Sequence, residues 1–379
     1  MLLRLLFGLL VALSLSAPAL AQQRPQALPI AAIPTKPWKH RATGVSLPPA
    51  IAGYRRGAIV DISNGAQIDV NAAYTDAASG TETTVYLYHP ALPNASLWFD
   101  ASTNAIMSVG AYGVVAPATD AQGFTPPNQS SASGLRRIYT ITQRGRSTAI
   151  AFVPLGPWMV KLRMTSARLD PPALDAALGQ IIAGIGWPRR PPAAIAATPI
   201  ADCARSIAIG TPATRAPAST GATLTDALVH QAGRAASDKL IKAGKPIPFT
   251  SLCRDPAAVA GGFSLYQDQA SGGGYVMPLG DSGLLLSVGR DNLGTLLAQA
   301  VDAQPTKTQG APALAAKPTT APEWTVSLLL PDRWMVFPHF VDMPLPEQAL
   351  KLIQSERPLA QGASMGKDRQ IHLSSQAVH

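Results

Sequence analysis

Serine, histidine, cysteine and carboxylate side chains carry most enzyme chemistry, and none is spaced in this chain as a catalytic unit demands. The chain is read without a nucleophile elbow, the strained strand-to-helix turn that G-x-S-x-G builds to expose its serine. It has no H-E-x-x-H helix, and His40, His89, His230, His339, His372 and His379 are scattered from leader to tail. Ser364-Met365-Gly366-Lys367 spells S-x-x-K, whose lysine reaches its serine only at the start of a buried helix; here it stands in a polar tail without companion motifs and is read as chance. Gly362 to Lys367 also fails as a phosphate loop, since Asp368 stands where a hydroxyl is required. Asp61 and Asp69 flank a hairpin and are read as surface turn acids, while Tyr86, Tyr88 and Trp98 are read as core fillers. We therefore expect no catalytic, cofactor-binding or metal-binding residues and lean away from an enzyme. The alternative is a hydrolase whose site is assembled only in the fold.

Cys203 and Cys253 are the two cysteines. Zinc needs three or four ligands and neither has a Cys or His close by, so a disulfide is the expected pairing. On the chain-entropy model its loop of about 50 residues contributes roughly 3 to 4 kcal/mol.

The remaining candidates are cations. Net charge is +9 although charged residues are only 14% of the chain, so the protein is basic because acids are scarce. From Gly134 to Arg190 the cations Arg136, Arg137, Arg144, Arg146, Lys161, Arg163, Arg168, Arg189 and Arg190 face only Asp170 and Asp175. Lys161 and Arg163 alternate with Val160 and Leu162, which puts both on the outward face of one strand; Arg144 and Arg146 sit at a turn near its end. These four form an expected patch for an anionic partner: anionic lipid, lipopolysaccharide or acidic cell-wall polymer. No nucleic-acid module is present.

The compartment agrees with such partners. Arg4, the apolar run Leu5 to Leu15 and the small residues Ala19 and Ala21 have the three-part form of a secretory signal peptide cut after Ala21. A bilayer of about 30 Å needs about 20 apolar residues, so no spanning segment is expected in the mature chain. The expected location is the periplasm or beyond, where nucleotide cofactors are scarce and disulfides persist.

The elements that would position these residues follow from turn and period signals. Asn64-Gly65 between short apolar runs reads as a hairpin, TTVYLYH (Thr83 to His89) as a central two-sided strand, and Asn94 to Gly110 as an amphipathic helix. IYTITQ and STAIAFV form a second hairpin, and Pro154-Leu155-Gly156-Pro157 turns the chain into a strand at WMVKLRMTS, expected to be buried on one face only. Asp170-Pro171-Pro172 starts a helix through Ile182.

Thr223 to Ala243 reads as a helix whose stripe is Leu224, Leu228, Ala232, Ala235, Leu240 and Ile241. GFSLYQ, GYVMPL, GLLLSVG and a hairpin turning at Pro331-Asp332 are strands, and a helix starts at Pro346. Trp158-Met159-Val160 and Trp334-Met335-Val336, with Leu174 and Leu350, match at one offset, which raises an internal duplication.

The fold class expected is α+β: two small antiparallel-sheet domains, each with helices packed on one face, joined by an Ala/Pro/Thr-rich linker. The boundaries are signal 1–21, extended leader 22–42, N-terminal domain 43–190, linker 191–222, C-terminal domain 223–358 with a flexible loop at 303–322, and a disordered tail 359–379. In element order alone the first domain resembles the small antiparallel sandwiches of the Mog1 and PsbP type. That resemblance implies a fold and carries no ligand or partner. Function is expected to be binding or envelope association, engaging an anionic partner through the basic sheet face.

Overall fold

The computed structural model describes residues 27–108, 110–207, 211–243, 245, 252–257, 262–268, 273–290, 323–367 and 370–377. The expected signal peptide and the 303–322 loop lie outside the described residues.

The first sheet contains β1 (Leu28–Pro29), β4 (Ala50–Ile51), β5 (Tyr54–Asp61), β6 (Asp69–Asp76), β7 (Thr81–Tyr88), β8 (Val115–Pro117), β9 (Gln122–Phe124), β10 (Gly134–Ile141), β11 (Ser147–Leu155) and β12 (Trp158–Ser166). Its order is β1-β5-β6-β7-β12-β11-β10-β8, with β4 on β5 and β9 on β10. A small ladder of β2 (Trp38–Lys39) and β3 (Ser46–Leu47) stands beside it. The second sheet is a meander in sequence order: β13 (Leu252–Arg254), β14 (Tyr266–Asp268), β15 (Tyr275–Pro278), β16 (Leu285–Arg290), β17 (Trp324–Leu329), β18 (Arg333–Val336), β19 (Ala360–Ala363) and β20 (Ile371–Leu373). The helices are α1 (Ala95–Ser108), α2 (Pro171–Gly184), α3 (Thr220–Lys242) and α4 (Pro346–Ser355). Mixed α+β structure built on antiparallel sheets is thus the class, as expected.

The hairpin at Asn64-Gly65 joins β5 to β6, both turn residues having positive φ (54° and 92°). Asp170 caps α2 through its carboxylate, which accepts from the Ala173 N–H at 3.0 Å. β11 shows why both faces of the sheet are dry. Ala149, Ala151 and Val153 face a core with Leu174, Leu178 and Ile181 of α2, while Ile150 and Phe152 face Leu97, Trp98 and Phe99 of α1.

This corrects the expectation of helices on one face: α1 and α2 pack on opposite faces of the first sheet. α3 and α4 likewise divide the second sheet. Ala227 of α3 packs with Trp334, Val336 and Ala360, and Ala349 and Leu352 of α4 pack with Met277, Leu286 and Val326. The α1 core also takes in Tyr266 and Leu285, so the two sheets share buried apolar surface.

Three further expectations are corrected. The tail at 359–379 is ordered over most of its length, because β19 pairs with β18 and β20 with β19 through backbone bonds that need no apolar side chains. On α3 the stripe is inverted. Leu224 and Leu228 are 41% and 51% exposed, while Thr223, Asp226 and Ala227 are buried. The Ala/Pro/Thr segment after Pro191 lies along the first sheet, with the Ala197 N–H donating to the Ala132 carbonyl at 3.0 Å. The hairpin-helix unit β11-β12-α2 recurs as β17-β18-α4, but β12 neighbours β7 and β18 neighbours β19, so the two sheet orders differ.

Candidate binding face

The face of the first sheet opposite α2 carries the polar residues. Cross-strand register sets Asp69, Tyr88 and Met159 in one row, Asn71, Tyr86 and Lys161 in the next, and Ala73, Thr84 and Arg163 in the third. Residues two apart on a strand share a face, so this face holds Asp69, Tyr86, Tyr88, Lys161 and Arg163 together.

The turn Gly280 to Gly283 of the second sheet covers one end of it. Gly283 has φ +88°, and a Cβ there would stand 3.0 Å from Pro90 Cα and 3.3 Å from the Tyr88 ring. A side chain larger than hydrogen would push the turn off the sheet.

Lys161 is therefore not outward in the sense expected. Only 4% of it is exposed. Its ammonium donates to Asp281 Oδ2 at 2.8 Å and to the Asp281 carbonyl at 3.2 Å, and lies 4.3 Å from the Tyr86 ring centroid and 5.8 Å from that of Tyr88. A buried cation needs such a partner, because its desolvation is otherwise uncompensated.

Burial works against the Asp281 carboxylate, yet Lys161 beside it outweighs that and holds its pKa below the usual carboxylate range. Asp69 gets no such share: burial pushes its carboxyl up to about 7, Lys161 pulls the other way, and Asp281 and Asp61 add to the rise. Arg163 is half-buried with its guanidinium 5.4 Å from the Tyr112 ring centroid. Tyr88 Oη and Arg163 Nε are buried without a hydrogen-bond partner.

Arg144 and Arg146 meet the expectation of exposure. They stand on the β10-β11 turn, where Arg144 has φ +60°, and neither joins an ion pair among the described residues. The Tyr112 carbonyl accepts from the Thr142 and Gln143 N–H groups, and Thr142 Oγ1 accepts from the Val114 N–H at 2.9 Å. Gly113 (φ +67°) allows this contact, since a Cβ there would fall 2.3 Å from Thr142 Oγ1. Arg163, Tyr112 and the Arg144-Arg146 turn are thus consecutive neighbours along one end of the sheet. The expected patch of four splits in two: Lys161 is neutralised inside, and Arg144 and Arg146 point to solvent, with Arg163 between.

A second polar cluster ties the sheets together elsewhere. Asp100 of α1 accepts from Tyr266 Oη at 2.8 Å and from Arg254 Nη1 at 3.0 Å, and Arg254 also pairs with Asp202 at 2.6 Å. The expected Cys203–Cys253 disulfide is present beside this clasp.

Two serines bear on the hydrolase alternative. Gly362-Ala363-Ser364-Met365-Gly366 does fit G-x-S-x-G, so the reading without that pattern is corrected. Its context is a hairpin turn between β19 and β20, where an elbow requires a strand leading into a helix. Ser327 Oγ lies 3.0 Å from His230 Nε2, a contact invisible in sequence. Ser327 is 4% exposed in the middle of β17, and His230 stacks on Trp334 at 5.3 Å. Beside it Asp226 bonds His339 Nε2 at 2.6 Å and Thr325 Oγ1 at 2.9 Å. This network fills the gap between α3 and its sheet and explains why α3 turns polar residues inward. A Ser–His contact of this length is also what an activated nucleophile needs, but Ser327 is buried beneath α3, where its hydroxyl is closed off from a substrate.

No family model, curated protein or solved structure matches the chain. Among the described residues no helix is long and apolar enough to cross a membrane, and no group of His, Cys, Asp and Glu is arranged to hold a metal ion.

Proposed function

We propose that the chain is an exported, non-catalytic binding protein of the bacterial envelope, freed of its signal peptide after Ala21 into the periplasm or the medium. Its two antiparallel-sheet domains act as one scaffold, and it engages an anionic partner at the Arg144-Arg146 end of the first sheet. The observation that carries this reading is the pair of exposed arginines that join no ion pair among the described residues, backed by half-buried Arg163 with its unbonded Nε. Lys161 belongs to the support beneath, where Asp281 already answers its charge. The disulfide is compatible with an oxidising compartment.

Binding to soluble, fluorescently labelled polyphosphate tests the charge requirement alone. Wild type should bind at low salt and release at high salt, and Arg144→Glu with Arg146→Glu should lower affinity about tenfold or more while melting like wild type. No salt-sensitive binding, or unchanged binding by the double variant, overturns the reading.

A further inference from the structure

The same end of the sheet carries a feature that charge does not explain. Val114 is 70% exposed, the most of any large apolar residue among those described, and Met107 is 44% exposed at the end of α1, seven residues earlier. Val114 is not on a loose loop. Its own N–H is bonded to Thr142 Oγ1, Gly113 before it packs on Thr142 and Gln143, and Val115 after it opens β8. Two residues beyond Thr142 stands Arg144, and two beyond that Arg146. A fixed apolar side chain is thus held at the rim of a turn that carries unpaired cations.

We infer that this end is a membrane-surface docking edge, with Val114 and Met107 entering the headgroup layer while Arg144 and Arg146 contact the phosphates of anionic phospholipid. This inference rests on the anionic-partner reading and adds the identity of the partner. A soluble polyanion offers nothing for Val114 and Met107 to enter, whereas a lipid interface rewards apolar side chains flanked by cations. Each arginine near an anionic surface contributes about 1 kcal/mol, roughly fivefold in partitioning, so two suffice for reversible attachment only with apolar help. Tyr112 is suited to tie the parts, since its carbonyl holds the turn and its ring faces Arg163.

The test is co-sedimentation of the mature, disulfide-bonded protein with vesicles of phosphatidylcholine alone and of phosphatidylcholine mixed with phosphatidylglycerol. Wild type is expected on the mixed vesicles only, at low salt. Val114→Asn and Met107→Gln, which remove the apolar character without adding charge, should each lower that binding severalfold while leaving polyphosphate binding unchanged, and both should keep the wild-type melting temperature because the positions are exposed. Val114→Trp should strengthen vesicle binding. Binding to polyphosphate without binding to mixed vesicles overturns the lipid assignment and leaves the anionic reading standing. Vesicle binding indifferent to both apolar substitutions overturns it too. Failure to bind either probe removes both.

Discussion

Composition groups Lys161 with the Arg144-Arg146 pair in one patch, yet Lys161 lies inside β12 while the arginines stand on the β10-β11 turn, and the two differ in burial and in partners. Lys161 is enclosed between Tyr86, Tyr88 and Asp281 of the second sheet. The arginines are exposed on a turn and join no ion pair among the described residues. A cation that is buried has its anion inside the fold, and removing either partner leaves a stranded charge. A cation that is exposed costs the fold almost nothing and remains free for another molecule. Charge count therefore says little about binding until burial has divided the cations between structure and surface.

The largest expected effect lies at the buried end. Lys161→Met should destabilise the protein by about 3–5 kcal/mol, because Asp281 and Asp69 are left without their cation. Urea unfolding measures this, and a loss below about 1 kcal/mol would mean that the turn at Asp281 does not close over Lys161 in solution.

Next in size is the pH dependence set by Asp69. Its pKa of about 7 lies above the unfolded value near 3.9, so the folded chain binds more protons from about pH 4 to pH 7. Stability from this group is present at acid pH, falls as pH rises through that window and is level above it. Asp69→Asn should remove the slope and gain about 2 kcal/mol at pH 8 relative to pH 4, half of the full linkage value because the site is partly open to water. Parallel pH profiles for the variant and wild type would break this part of the picture.

The smallest expected effect is at the exposed end. Arg144→Ala and Arg146→Ala should each change stability by less than about 0.5 kcal/mol, as surface substitutions without partners do. A loss of about 2 kcal/mol in thermal unfolding would place these arginines in the structural class with Lys161.

Local signals in the sequence found most of the elements that hold this face. Asn64-Gly65, the strand read at Thr83 to His89 and found at Thr81–Tyr88, and the Pro-Gly turn into Trp158 were legible because turn chemistry and side-chain period are local. Alternation put Lys161 and Arg163 on one shared face, but that face is covered and not outward. What it could not show was that a turn 120 residues further along covers Lys161. The same limit accounts for α3. Leu224 and Leu228 looked like its buried stripe, but Thr325, Ser327 and His339 line the surface it meets, and those polar groups select Asp226 and His230. The tail failed for a different reason, since Ala360–Ala363 and Ile371–Leu373 join the sheet through main-chain bonds that composition does not report. Ser364 does stand in a G-x-S-x-G pentapeptide, but between two paired strands instead of the strand-to-helix turn in which that pattern exposes its serine.

The division of the cations into a buried and an exposed class is tested most directly by a double-mutant cycle on Lys161→Met and Asp281→Asn, read by equilibrium unfolding. If the second sheet neutralises Lys161 as observed, each single variant strands a charge and the pair does not. The double variant should then be more stable than the sum of the single losses implies, by about 2 kcal/mol or more. Additive losses, agreeing within about 0.5 kcal/mol, would contradict it and return Lys161 to the solvent with the arginines.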